Sequence, residues 1–328
     1  MSDLIATTDG THANGVFSYG DSTTVNVSHS IIRTAGNCSG GLMTTGGGTM
    51  NATDVTAETQ GNSSAAIRSD RGGGDVNVTG GYYTTAGTGS PAIYSTADIS
   101  VQGAYLQSSA SQGVVVEGKN SVALTDCQLI ASNTTKNSDK SDYYQAVMIY
   151  QSMSGDADSG PSSFSMDGGT LTNENGDVFF VNNTSCRIDL TDAAITNDDA
   201  SGVFLRAAAA GWGTQGSNGG NVTLNASSQA IDGDMLVDDV SALNLYLQDG
   251  SSFSGAVNPS GQEGDVYVEL DANSTWTLTG DSYVTSLTCV QGSIDLNGHA
   301  LYVNGVAYDG ESASAGEAID MSASSQDA

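Results

Sequence analysis

Basic residues are scarce in this sequence. Lys and Arg together number 8, against 37 Asp and Glu, and the formal net charge is -29. Gripping a phosphate backbone takes lysine and arginine, so this balance excludes a nucleic-acid partner. It also disfavours anionic polysaccharides unless a metal bridges the like charges. Proline is rarer still, at 3 residues, too few for a disordered Gly-rich chain. No apolar run reaches the length of a membrane span, so no membrane insertion is expected. The three histidines, His12, His29 and His299, lie far apart. The 4 cysteines fall in different repeats and mostly different columns, and a disulfide needs Cα atoms within about 7 Å. Cys38, Cys127, Cys186 and Cys289 are therefore expected as free thiols.

What fills the chain instead is glycine, 42 residues of it, set in a repeated frame. The clearest copy is residues 188–196, where Ile188 and Leu190 alternate with polar neighbours. Asp192, a residue tolerant of positive φ, follows, then the small Ala193 and the apolar Ile195. The frame recurs at Val25, Met50, Val76, Ile99, Val122, Phe164, Val222, Leu245, Trp276 and Ile294. A period of roughly two dozen residues marks a solenoid. Apolar residues at period two make the repeating element a strand. A corner comes two residues after the second apolar position. It carries His29, Asp54, Gly80, Gly103, Asp126, Gly168, Asp192, Ala226, Asp249 and Gly280, mostly residues that enter the left-handed region easily. A second strand precedes each frame (around Phe17, Met43, Arg68, Tyr94, Val115, Met148, Phe180 and Phe204). A third begins near Ile32, Tyr83, Leu106, Leu129, Leu171 or Ile195.

Three parallel strands per coil resemble the right-handed parallel β-helix of the pectin-lyase-like superfamily. The expected fold is thus all-β, a single-stranded right-handed parallel β-helix of about 11 coils with three short strands each. It should occupy residues 1–310. Residues 311–328, rich in Ser, Ala and acidic residues, read as a disordered tail or linker. The chain is expected to begin mid-coil, without its export signal. The coil from Ile294 to Asn304, reading I-D-L-N-G-H-A-L-Y-V-N, resembles the closing coil of bacterial surface β-helix proteins. That resemblance implies an exported, adhesin-like, monomeric protein, extracellular or at the surface of a bacterium.

Long coils mark where function could sit. Insertions at 133–145 and 151–163 enter and leave one strand, and 207–221 leaves the equivalent strand two coils on. All three should wall a groove on one side of the rod. Alternation places Met148, Phe180 and Phe204 outward in one column on its floor. Left bare, such an apolar stripe wants a partner; otherwise the loops cover it, with Tyr143, Tyr144 and Trp212 as the covering residues. The expected ligand-binding residues are Tyr143, Tyr144, Tyr150 and Trp212 as stacking platforms, Met148, Phe180 and Phe204 as floor, and Asn182 and Arg206 as hydrogen-bond donors. The expected partner is a glycan or a host or cell-surface protein. Asp156 and Asp158 have the spacing of two calcium ligands, without the rest of a calcium loop, and calcium is the one cofactor suggested.

The rival reading is a polysaccharide-degrading hydrolase or lyase using loop carboxylates in the same groove. Polygalacturonase-like members carry N-T-D, D-D, G-H-G and R-x-K elements. Here Asp198-Asp199, Asp238-Asp239 and Gly298-His299-Ala300 match in part, scattered along the rod, so no catalytic residue is assigned. Hydrolysis would need two carboxylates within about 5–10 Å of each other.

Overall fold

Alternating strands this short cannot bury an apolar face alone, and they pair with the next repeat rather than with their neighbours in sequence. The result, a computed structural model describing residues 1–136 and 138–322, is an all-β parallel β-helix. Its first face is an 8-stranded sheet running from Ile5–Thr8 to Ala194–Asn197. The second has 9 strands, from Val16–Tyr19 to Asp234–Val237, and the third 11, from Thr24–Ser28 to Ser286–Thr288. A 4-stranded sheet from Ala230–Asp232 to Ile294–Asp295 follows the first face. A 3-stranded one closes with the antiparallel pair Leu301–Val303 and Val306–Ala307.

Register stacks like on like. On the third face Val25, Met50, Val76, Ile99, Val122, Phe164 and Ile188 are paired coil by coil. The column feeds one apolar core that runs through the rod and includes Phe164, Phe179 and Trp276. Outside it, Asn51 donates to Asn26 at 2.8 Å and Asn77 to Asn51 at 3.0 Å, a polar ladder on the solvent side. The corner residues have positive φ as the frame requires: His29 47°, Asp54 49°, Asp126 50°, Asp192 46° and Asp249 56°. A second corner is held by serines. The Ser39 and Ser64 amides donate to the hydroxyls of Ser64 and Ser90, each at 2.9 Å.

The frame slips in the second half. Ile188 pairs with Leu224, and Val222 with Cys186. The left-handed corner accordingly falls on Ser228, φ 51°, not on Ala226. A slip of two keeps every side chain on its own face, so the sequence pattern is blind to it. Trp276 and Ile294 lie in the 4-stranded sheet and pair with each other. The third face continues through Val268 and Leu287 instead. The four cysteines are free. Of the stretch read as a tail, the described part does not hang loose. Ser314 bridges to Cys289, and the Ile319 amide donates to Asn244 Oδ1 at 2.9 Å. The remainder, 323–328, lies outside the described residues.

Candidate functional site

The outward column of the second face is built by register. Val115 pairs with Met148, Met148 with Phe180, and Phe180 with Arg206. Phe204 is not part of it. The register shifts between Val203 and Leu205, which turns Phe204 into the main core, 5.4 Å from the ring of Phe179. The column therefore carries a cation, Arg206, where an aromatic was expected, and runs on to Leu236.

These outward side chains are nonetheless covered. Phe180 is 0% and Met148 4% exposed, in a second apolar cluster with Val115, Tyr150 and Ala208 that lies outside the winding. The three insertions supply the cover. Tyr143 sits 5.6 Å from the Phe180 ring, and Trp212 meets Tyr150 edge-on at 5.1 Å. The Gly211 amide donates to the Lys140 carbonyl at 2.6 Å, joining the first insertion to the third. The Asn183 side chain donates to the Gln151 carbonyl at 2.8 Å, tying down the second.

The cover is incomplete, and a cavity of about 430 Å³ remains beneath it. Tyr94, Tyr143, Tyr144, Tyr150 and Trp212 give it an aromatic lining, with Met148 on the floor. Lys136 and Lys140 also line it, lying over the rings of Tyr144 and Trp212 at 5.4 and 5.9 Å. No Asp, Glu or His among the described residues lines it.

The remaining expected site residues are occupied by the protein itself. Arg206 grips Asp177 through Nε at 2.6 Å and Nη2 at 3.2 Å, and stacks 4.0 Å from the Tyr143 ring. Burial pushes the Asp177 carboxyl up from its ordinary value, and Arg206 opposes that shift. The Asn182 amide donates to the carbonyls of Ala208 and Asn218, both at 2.8 Å. The Asn182 amide thus has no N–H left for a ligand, and Arg206 is committed to Asp177. Asp156 and Asp158 diverge to different cations, Arg71 at 2.5 Å and Lys119 at 2.7 Å. Those hydrogen bonds hold both carboxyls below their usual value. Among the described residues no three acidic, His or Cys side chains converge as metal ligands, so the calcium pair is replaced by two ion pairs. The scattered acidic motifs cap backbone: Asp199 accepts from the Gly176 amide at 2.8 Å and Asp238 from Ala209 at 2.7 Å.

One group that the repeat pattern did not single out is Glu117, at the end of Val114–Glu117 and 1% exposed. It pairs in register with Tyr150. Its Oε2 accepts from the hydroxyls of Tyr94 and Tyr150, the latter at 3.2 Å, and its Oε1 from Ser152 and, at 3.5 Å, Ser154. The signal was available, since Glu117 stands two residues beyond Val115 on the same outward face.

No family model matches the chain, and no curated protein matches it. Among solved structures, the autotransporter UpaB from E. coli strain CFT073 superposes with a TM-score of 0.48 at 16% identity, over 88% of this chain and 76% of that one.

Proposed function

We propose that the chain is a non-enzymatic, exported, adhesin-like β-helix that binds a glycan in the cavity between Met148, Tyr150 and Trp212. The observation that carries this reading is the lining itself. Aromatic faces offer apolar surface to sugar C–H groups, and hydroxyls, amides and lysines offer polar contacts, in a concave site of ligand size. The absence of a carboxylate or imidazole among the lining residues favours binding over hydrolysis, which would need two facing acids.

Tryptophan fluorescence tests this directly. Trp276 is fully buried and holds the Gly255 carbonyl at 3.0 Å, so a ligand-induced change reports on Trp212. A glycan array on the purified chain, followed by titration of the best ligands, should give binding that Trp212→Ala weakens roughly tenfold or more, as for a central aromatic anchor. Equal binding by the variant would remove the site.

A further inference from the structure

We propose that Glu117 is a positioning residue that makes the cavity floor a hydrogen-bond acceptor, so that the ligand is a sugar presenting free hydroxyl or amide N–H groups to it, not an O-alkylated or carboxylate face. This rests on the reading of the cavity as a glycan site.

A carboxylate has only acceptors to offer, and a hydroxyl has one proton to give. Tyr94, Tyr150, Ser152 and Ser154 all lie within hydrogen-bonding reach of Glu117. Each of the four lines the cavity, while Glu117 does not. Their protons are drawn to the carboxylate; the Ser152 and Ser154 oxygens also accept from the amides of Ser154 at 3.0 Å and Asp156 at 3.2 Å, and each hydroxyl still keeps an acceptor lone pair. Among the described residues no ion pair involves this carboxylate, and two arginines of the same face are held by other acids. Arg68 holds Asp70 at 3.1 Å and Arg71 holds Asp156 at 2.5 Å. Burial comes first among the causes that push the Tyr94 and Tyr150 phenols above their ordinary value, which keeps both protonated and donating.

A second, independent feature has the same sign. Asn133 and Gln145 line the cavity and are 2% and 1% exposed, and their Oδ1 and Oε1 atoms have no hydrogen-bond partner. The Asn133 amide N–H is spent on the Gln145 carbonyl at 3.2 Å, which fixes its oxygen as a free acceptor. Unpaired buried acceptors are costly unless something donates to them. Acceptors thus outnumber donors on this floor, while the cavity's charged donors, Lys136 and Lys140, belong to the insertion above it.

The test uses a matched pair of small probes on crystals of the full chain: ethylene glycol, which donates, and 1,2-dimethoxyethane, its O-methylated counterpart, which only accepts. The wild type should hold ethylene glycol against these hydroxyls with occupancy about fivefold above dimethoxyethane, the worth of one net hydrogen bond. Glu117→Gln gives Tyr94 or Ser152 an N–H donor instead, frees a hydroxyl proton toward the cavity, and should bring the ratio close to one. Tyr150→Phe, which leaves Glu117 in place and removes one acceptor, should lower the diol occupancy alone. A purely structural role would lower both probes together. Equal occupancy in the wild type, neither probe bound, or an unchanged ratio in Glu117→Gln would overturn the assignment. Failure of the glycan reading looks different: an empty array with the probe preference intact.

Discussion

Asp177 and Arg206 form a well-buried ion pair, with side chains 4% and 18% exposed. Removing one partner of such a pair leaves an uncompensated charge, and the usual cost is about 3–5 kcal/mol. The pH dependence adds a sign. Because burial raises the Asp177 carboxyl in the folded state, at a pH between the unfolded and the raised value the folded protein holds a proton there that the unfolded chain has released. Stability from this group is therefore present in acid and declines as pH rises through the raised value. Arg206→Ala removes the group that opposes the shift. Its deficit should be about 3–5 kcal/mol in neutral urea unfolding and smaller in acid, where Asp177 is neutralised. A deficit equal at both pH values would show that the Arg206 stem packing on Tyr143, not the charge, is what matters.

At the scale of elements, the insertions are positioned by the strands they interrupt. Gly176 shows how closely. Its φ is +85°, and a Cβ there would sit 2.0 Å from the Tyr144 carbonyl oxygen, the acceptor of the Asp177 amide at 2.8 Å. Gly176→Ala should therefore push the first insertion off the cavity, costing about 1–3 kcal/mol for the strained φ and weakening glycan binding more than melting temperature. Intact binding at a lowered melting temperature would detach the loop's position from the site. Much of this level was legible in the sequence. Val25 through Ile188 announce the third face because like residues stack on like, and Asp126 or Asp192 announce its corner. Legibility stopped where the stacking no longer constrains sequence. The slip at Val222 preserves alternation, Trp276 is as well buried on one face as on another, and Phe204 turns inward through a register shift that leaves no composition behind. The sequence left open whether Tyr143 and Trp212 cover the floor or meet a ligand, and it did not show the partners of Asn182 and Arg206, because the insertions have no period to read.

On the scale of the whole rod, charge dominates. With 37 acids against 8 bases, neutralisation is local. Every Lys and Arg except Lys140 has a carboxylate within 3.7 Å among the described residues. All but Arg33 and Arg187 lie on the second face or its loops. The other two faces carry their acids almost uncompensated, and folding brings those charges together from a more expanded chain. Salt acts in two opposing directions. It weakens exposed ion pairs, which are worth about 0–1 kcal/mol each, and it screens repulsion spread over the whole length. The screening should win, because Debye length falls from about 30 Å at 0.01 M to about 10 Å at 0.1 M, which decouples successive coils of like charge. Raising sodium chloride over that range should lift the melting temperature by at least roughly 2 °C, about 1 kcal/mol. Calcium chloride at matched ionic strength should give a similar rise, since Asp156 and Asp158 are already held by Arg71 and Lys119. A fall in melting temperature with sodium chloride would mean that the ion pairs of the second face, and not repulsion along the rod, set the balance.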